Sequence, residues 1–443
     1  MLMERMNRLA RFRIRKSDAT TDRALRFLAS EAYKFVPYYR ELYASAGIVP
    51  SDISSASSLA IHPITHRNSL AIPPQTRFLN ENADRKRLHA SHTSGSTGSP
   101  ATIFLSPAER QYRRLLLFRA IRARFPHFLP HRITDIGQAT TTGTPLPPFN
   151  LGPFHLTRIP GNIPMPEQVS LYMKSAPRLL EGYAGCLELL ADALHEEDTY
   201  PRPRYVISRG EVLLDQSRKL IEDVFGCPVA DFYNSEEIGN IAWECRDRRG
   251  VLHVNTDACI LELLDDQDCE VLPGIEGRVV ITNLYNRTMP LLRYDTGDYA
   301  VWDSSKAFQC SCGAKTPTLL AVHGRADDFI TMPDYRRVSP LVVLTTALNG
   351  CTQISCDGTY TDQVRQFQVI QEEIGKVIVR VVPGQLLPGD LHERLRAEFS
   401  KLHRDLEIDI ETVDEIPLEA SGKLKRIVSR IWNRRFRNAA DSP

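Results

Sequence analysis

No stretch of this 443-residue sequence approaches the ~18 consecutive apolar residues of a membrane-spanning helix, so no membrane span is expected. The N-terminus lacks the apolar core of a secretory signal. Excess charge of either sign is missing too: 55 Lys and Arg stand against 54 Asp and Glu, a net of +1. That balance removes the bulk electrostatic reason to expect nucleic acid or an anionic membrane as partner. Nine cysteines are an odd number in a long chain without a secretion signal, which argues against a disulfide framework. A reducing, cytoplasmic setting is expected, with most thiols serving as small apolar residues. Internal repeats and low-complexity tracts are absent as well. With 42% apolar, 25% charged and 8% aromatic residues, disorder, collagen and coiled coil are excluded as descriptions of the whole. The length suggests two to four domains.

The first sixteen residues carry six basic groups against the single acid Glu4. They read as a solvated, partly helical segment, with a transit or membrane-surface helix as the alternative. Helical spacing runs from Ala24 to Tyr43 and meets a stop at Gly47. Residues 51–58 read as loop, and 107–124 as a helix ended before Pro126. The Pro-, Thr- and Gly-dense segment from Pro126 to Pro166 is expected to hold little regular structure and to line a pocket. Helical spacing resumes over 177–197. A strand at 205–208, a helix at 215–225 and a strand at 228–233 then form a parallel α/β unit, in which ligands gather at strand ends. Further strands are expected at 251–254, 259–264, 277–284 and 299–302. Beyond Gly324, strands at 366–370, 376–382 and 406–412 with a helix at 388–403 suggest a separate small α+β domain, hinged near 325–328.

Five segments carry the chemistry. His92 to Pro100, HTSGSTGSP, packs hydroxyls around Gly95 and Gly98 and suits a polyphosphate, although no Walker Gly-Lys-Ser/Thr follows. FYNSEEIG (Phe232 to Gly239) places an aromatic, a hydroxyl and two carboxylates at the end of a predicted strand. RYDTGD (Arg293 to Asp298) ends in an acid suited to accept hydrogen bonds from a ribose. GRADD (Gly324 to Asp328) pairs an Arg with acids at the domain boundary, and PLEASGKLKR (Pro417 to Arg426) presents Lys423 on a Gly-containing loop. Each is weak alone; their order and spacing are hard to obtain by chance.

With these motifs the sequence resembles the adenylate-forming (acyl-activating) superfamily, and within it the phenylacetate–coenzyme A ligase family, over about residues 30–430. VPYYRELY (Val36 to Tyr43), GYAGCLELLADAL (Gly182 to Leu194) and SRGEVL (Ser208 to Leu213) add to the likeness. The resemblance implies an α/β fold with a large N-terminal domain, residues 1–326, holding ATP and a carboxylic acid. A small mobile α+β C-terminal domain, residues 327–443, would carry the catalytic lysine. It implies a two-step reaction: the carboxylate attacks the α-phosphorus of ATP, giving acyl-AMP and pyrophosphate, and a nucleophile then takes the acyl group. Two anions must meet, so Mg²⁺, a lysine and backbone donors must neutralise phosphate charge. Carried over by motif, Ser94, Gly95, Ser96, Thr97 and Gly98 would cradle the β- and γ-phosphates. Ser235 would bond the α-phosphate and Glu236 would hold Mg²⁺. Tyr233 would lie against adenine, and Asp298 would accept the ribose hydroxyls with Arg325 nearby. Lys423 would reach the α-phosphate, and Asp327 would be the hinge.

Cys245 and His253, with Cys310 and Cys312 further on, supply three thiols and an imidazole, a four-ligand set suited to structural Zn²⁺; relatives with Cys and His at these places exist. Such a site leaves no open catalytic position and would staple two β segments. The other six cysteines read as core or surface thiols.

Three departures stand out. Ser99 replaces a common Lys in the phosphate loop, and Asn234 replaces the usual Gly before Ser235. Tyr335, in TMPDYRRVSP (Thr331 to Pro340), stands near a Gly common in the coenzyme A ligases. A bulky side chain there would narrow a thiol passage, whereas Arg336 and Arg337 would suit coenzyme A phosphates. The leading expectation is ATP-dependent activation of an aryl or medium acyl acid followed by transfer to coenzyme A. The alternatives are transfer to a carrier-protein phosphopantetheine or an amine, in a secondary-metabolite or polysaccharide pathway, and a non-catalytic nucleotide-binding protein. The acid's pocket is expected to draw on residues 138–147 and 208–211. A homodimer is a family-level expectation only.

Overall fold

A computed structural model of the chain describes residues 18–431, apart from 73, 93–100, 129–131, 138–148, 152–153, 196, 198, 304–309, 352, 355–359, 362–363, 385–388 and 420–421. The basic N-terminal segment and the phosphate-loop residues Ser94, Gly95, Ser96, Thr97 and Gly98 lie outside the described residues. Among the described residues, no helix is long and apolar enough to cross a membrane.

Helices α1 (Asp18–Phe35) and α2 (Pro37–Ala46) replace the single expected helix, because Pro37 starts a new one after extended Val36. Gly47 ends α2 at φ 66°, the left-handed cap for which glycine has no Cβ penalty. Helix α3 (Arg67–Ala71) and the antiparallel pair β1 (His89–His92) and β2 (Thr102–Leu105) follow. Helix α4 (Pro107–Arg124) starts on a reciprocal cap: Glu109 N–H donates to Ser106 Oγ at 3.3 Å, and Ser106 N–H donates to Glu109 Oε2 at 2.7 Å.

The segment expected to be irregular instead holds β3 (Arg132–Gly137), β4 (Phe149–Leu151) and β5 (Phe154–Pro160). Strands β3 and β5 pair in parallel and bury Ile136 and Ile159, and the proline of β5 stands at its last position, where it interrupts least. After α5 (Met165–Ser175), the helix expected over 177–197 begins as a strand, β6 (Leu179–Tyr183), and turns helical only at α6 (Ala184–His195). Strand β6 is hydrogen-bonded on both sides, and that pairing overrides helical spacing read from side chains alone. Strand β7 (Tyr205–Arg209), helix α7 (Asp215–Phe225) and strand β8 (Val229–Ser235) complete the α/β unit.

An antiparallel half continues the sheet through β9 (Gly239–Glu244), β10 (Leu252–Val254), β11 (Cys259–Leu264), β12 (Glu276–Asn283), β13 (Tyr294–Trp302) and β14 (Thr318–Arg325). The twelve strands run β11-β12-β13-β14-β10-β9-β8-β7-β6-β3-β5-β4, with β8-β7-β6-β3-β5 parallel. Helix α4 covers one face through Ala120 and Ile121 against Leu179, Ile207 and Phe232. Helices α5, α6 and α7 cover the other through Tyr172, Leu187, Leu190 and Ile221.

The rest of the chain builds a smaller α+β layer. The two-stranded pair β15 (Ile330–Thr331) and β16 (Arg337–Val338) leads to α8 (Pro340–Cys351) and the short pair β17 (Gln353–Ile354) and β18 (Tyr360–Thr361). Strands β19 (Val364–Glu373) and β20 (Lys376–Pro383), helix α9 (Leu391–Ser400), β21 (Glu407–Thr412) and β22 (Ile427–Ser429) finish it. Its sheet order is β21-β20-β19-β22, and α8 and α9 bury Val343, Leu395 and Phe399 against Val369 and Val379. The molecule is thus an α/β protein with a large sheet domain and a small C-terminal one.

Candidate active site at the strand ends

The parallel strands deliver their carboxyl ends to one place, and the C-terminal loop closes over it. Lys423 Nζ donates to the carbonyl of Gly210, just past β7, at 2.9 Å, and lies 5.1 Å from the ring centre of Tyr183 at the end of β6. Burial pulls its pKa below the usual lysine value, with Glu211 acting in the opposite sense. Gly210 adopts φ +75°, and a Cβ there would meet the Tyr183 ring at 3.0 Å.

Glu211 holds the loop in place. Its Oε2 accepts from the N–H of Gly185 at 2.8 Å and its Oε1 from the N–H of Leu424 at 3.0 Å. One carboxylate thus ties the start of α6 to the residue after the lysine. Burial raises its pKa, and Lys423 and these donors oppose the rise. The fit is close at three further points. Cys186 Sγ donates to Gly422 O at 3.2 Å, and a Cβ on Gly185 would come within 2.8 Å of Leu424 Cβ. Arg426 pairs with Glu188 of α6 at 2.6 Å.

Tyr233, on β8, donates its hydroxyl to Asp298 Oδ2, on β13, at 2.6 Å. Burial raises the pKa of Asp298, opposed first by Arg325. Asp298 and Arg325 are direct cross-strand partners on β13 and β14, and Arg325 lies 3.7 Å from Asp327. Ser235 Oγ accepts from Ile238 N–H at 3.1 Å, which fixes the turn that carries Glu236. Arg113 of α4 braces that turn by donating to the carbonyls of Ser235 and Glu236 at 3.1 and 2.8 Å. Gly239, at φ +89°, leaves room for it. Arg67 of α3 pairs with Glu237 at 3.1 Å, and Tyr294 donates to the same carboxylate at 3.0 Å.

The structure therefore brings Tyr233, Ser235, Glu236, Asp298, Arg325, Asp327 and Lys423 to the strand ends. The sequence reading missed Glu211 as a latch, and Arg67, Arg113 and Glu237 as braces. No local motif marks the arginines, since each meets its partner more than 100 residues away. Tyr335 takes φ +65°, the conformation for which glycine is favoured, and its side chain stands largely in solvent.

The four proposed metal ligands converge in a separate cluster. Cys245 follows β9, His253 lies in β10, and Cys310 and Cys312 lie in the connection between β13 and β14. Their ligand atoms all fall within 4.8 Å of one another. The Cys245 and Cys310 sulfurs are 3.5 Å apart, and Cys312 Sγ is 3.2 Å from His253 Nε2. The backbone N–H groups of Asp247 and Ala314 point at Cys245 and Cys312 sulfurs, both at 3.4 Å. Thr316 Oγ1 meets His253 Nδ1 at 3.3 Å and orients the ring. Three sulfurs and one nitrogen this close fit a tetrahedral zinc ion. Of the other cysteines, Cys186, Cys259 and Cys351 are buried, and Cys356 lies outside the described residues.

The strand ends of the large sheet thus meet a lysine from the small C-terminal layer. Residues 352–430 match the CapK C-terminal domain family. The chain is 29% identical over 424 residues to a phenylacetate-coenzyme A ligase of Pseudomonas putida, covering 91% of this chain and 90% of that one. It is 24% identical over 437 residues to the Thermus thermophilus ligase of the same name, covering 93% and 96%. Among solved structures, 2-hydroxyisobutyryl-CoA ligase in its postadenylation state aligns with a TM-score of 0.74 at 17% identity, over 98% of this chain and 94% of that one. The same ligase in its thioesterification state aligns at 0.59, over 96% and 92%. Over nearly its whole length the chain is thus similar to phenylacetate-coenzyme A ligases, and its fold is that of 2-hydroxyisobutyryl-CoA ligase.

Proposed function

We propose that this chain activates a carboxylic acid with ATP to give acyl-AMP and pyrophosphate, then passes the acyl group to coenzyme A with release of AMP. The observation that carries the reading is Lys423 held on the Gly210 carbonyl, beside the strand ends that bear Tyr233, Ser235 and Asp298.

In this arrangement Lys423 meets the α-phosphate and the bridging oxygen, where negative charge grows as the carboxylate attacks. Ser235 accepts from Ile238 N–H and keeps its own proton to donate to the α-phosphate. Asp298 exchanges its bond from Tyr233 for the ribose hydroxyls, with Arg325 opposing the rise in pKa that burial causes. Tyr233 then lies against the adenine. Residues 94–98 would cradle the outer phosphates. Glu236, an accessible carboxylate on a braced turn, suits a hard cation, and Mg²⁺ held there would neutralise phosphate charge.

The domain division follows from the same reading: residues 1–326 bind ATP and acid, and residues 327–443 carry the lysine. Asp327, beside Arg325 and next to half-buried Asp328, is the hinge at which the small domain turns to admit the acceptor. Burial lifts Asp328 to about 6, with Lys425 at 3.5 Å opposing the rise. The Cys245, His253, Cys310 and Cys312 cluster holds structural zinc. The enzyme acts in the cytoplasm.

The test is acid-dependent AMP release with and without coenzyme A. Release that rises with coenzyme A and yields a thioester supports the reading. Release that needs a phosphopantetheine carrier or an amine instead would reassign the acceptor.

A further inference from the structure

A row of charged side chains lies beside the reacting centre and takes no part in the chemistry above. Four adjacent strands carry it: Arg158 on β5, Asp135 on β3, Glu181 on β6 and Arg209 on β7. Asp135 stands directly opposite Arg158 on one side and Glu181 on the other. Arg209 reaches across β6, and its Nη2 donates to Asp135 Oδ1 at 2.5 Å. Leu179 and Ile207 pack against α4, so by the two-residue period of a strand Glu181 and Arg209 face the same side of the sheet.

Position ties the row to the active site. The Arg209 guanidinium lies 5.6 Å from the centre of the Tyr183 ring, the same ring that underlies Lys423 Nζ at 5.1 Å. The next residue, Gly210, supplies the carbonyl on which Lys423 rests. Glu236 lies near enough for its charge to act on Arg209. Arg209 and Lys423 thus meet the same tyrosine ring at the end of β6.

The row is neither sealed nor needed for packing. Arg209 keeps 20% of its side-chain surface exposed and Asp135 keeps 10%. Sinking four ionisable groups into a sheet face at best breaks even with apolar side chains of the same volume, so stability does not account for them. Two carboxylates and two guanidiniums balance in charge, and a further charge on the substrate would upset that balance. A hydroxyl fits it. Its oxygen accepts from a guanidinium and its proton goes to a carboxylate. Burial lifts Glu181 to about 7, opposed first by Arg209, so the row balances fully in charge only once that carboxylate is ionised.

We propose that Arg158, Asp135, Glu181 and Arg209 floor the acyl site and select a carboxylic acid that bears a hydroxyl remote from its carboxylate, on the chain or the ring. The inference rests on the ligase reading and narrows its aryl or medium acyl acid to hydroxylated members. A site built around a substrate hydroxyl rejects the analogue without one, because its own polar groups are then left unpaired.

The test is ATP–pyrophosphate exchange by the wild-type full chain with matched acids: hexanoate against 6-hydroxyhexanoate, benzoate against 4-hydroxybenzoate, and 3-phenylpropionate against 3-(4-hydroxyphenyl)propionate. The hydroxylated acid should be favoured at least ~10-fold in kcat/KM in one or more pairs. Glu181→Gln, nearly isosteric, and Arg209→Met should bring that ratio towards unity. Thermal unfolding of both variants checks that they fold, and the Glu181 variant stands alone if the Arg209 one does not. Exchange that favours the apolar acid, or treats both alike, in every pair would overturn the inference and leave the ligase reading intact. No exchange with any acid would overturn both.

Discussion

Lys423 is the residue on which the proposed chemistry turns, and its surroundings make two expectations concrete. Removing its ammonium in Lys423→Ala should cut ATP–pyrophosphate exchange by about 10²–10³-fold, the usual cost of losing one donor at a developing charge. Transfer to coenzyme A from supplied acyl-AMP should suffer far less, which single-turnover assays of each half-reaction would check. Burial makes the second expectation one of pH. The charged form is the useful one, and burial lowers the pKa at which it is lost. Activity should therefore fall as pH rises, starting below the ordinary lysine range of about 10.4. Lys423→Arg should push that alkaline limb of kcat/KM for ATP upward. An unchanged limb would assign the titration to another group. At this scale the sequence was most legible where a residue sat within a motif, as Tyr233, Asp298 and Lys423 do. Glu211, Arg67 and Arg113 were illegible because their meaning lies in contacts the chain makes only once folded.

Among the elements, the antiparallel half of the sheet shows how spacing and pairing divide the work. Strand 259–264 and helices 107–124 and 215–225 fall where the side-chain pattern puts them, because each has one buried face and clear end signals. Strand β6 does not, since Leu179–Tyr183 is covered on both faces and paired on both edges, and its pattern carries no period of its own. The Cys and His cluster joins elements that propensity cannot hold together: the hairpin β9–β10 and the connection from β13 to β14. The purified protein should carry about one zinc per chain by elemental analysis. Cys310→Ser, or prolonged chelation, should lower the unfolding temperature by several degrees. Those strands carry Asp298 and Arg325, so ATP binding should weaken along with it. A protein free of metal and indifferent to chelator would remove the staple.

For the molecule as a whole, specific polar contacts join the two layers beside the apolar packing of Leu214 into the C-terminal cluster. Glu211 binds Gly185 N–H and Leu424 N–H, Glu188 pairs with Arg426, and Gly185 lets Leu424 come close. Adding one methyl in Gly185→Ala sets a Cβ 2.8 Å from that of Leu424 and must push the lysine loop outward. A displacement near 1 Å at a reacting centre costs up to about 10²-fold, so adenylation should slow by at least tenfold while thioester formation from acyl-AMP is spared. Equal loss of both half-reactions would mean general damage instead of undocking. The meeting of the layers was not legible in the sequence beyond the motif around Lys423, because Glu211 with Leu424 and Glu188 with Arg426 join residues 213 and 238 positions apart.

The central claim is that this chain adenylates a carboxylic acid with Lys423 in the site. ATP–pyrophosphate exchange with pooled carboxylic acids and Mg²⁺, without acceptor, measures it directly, with Lys423→Ala beside the wild type. Exchange that requires an acid and disappears in the variant is the predicted result. ATP binding without exchange for any pool, or exchange that survives loss of Lys423, would contradict it.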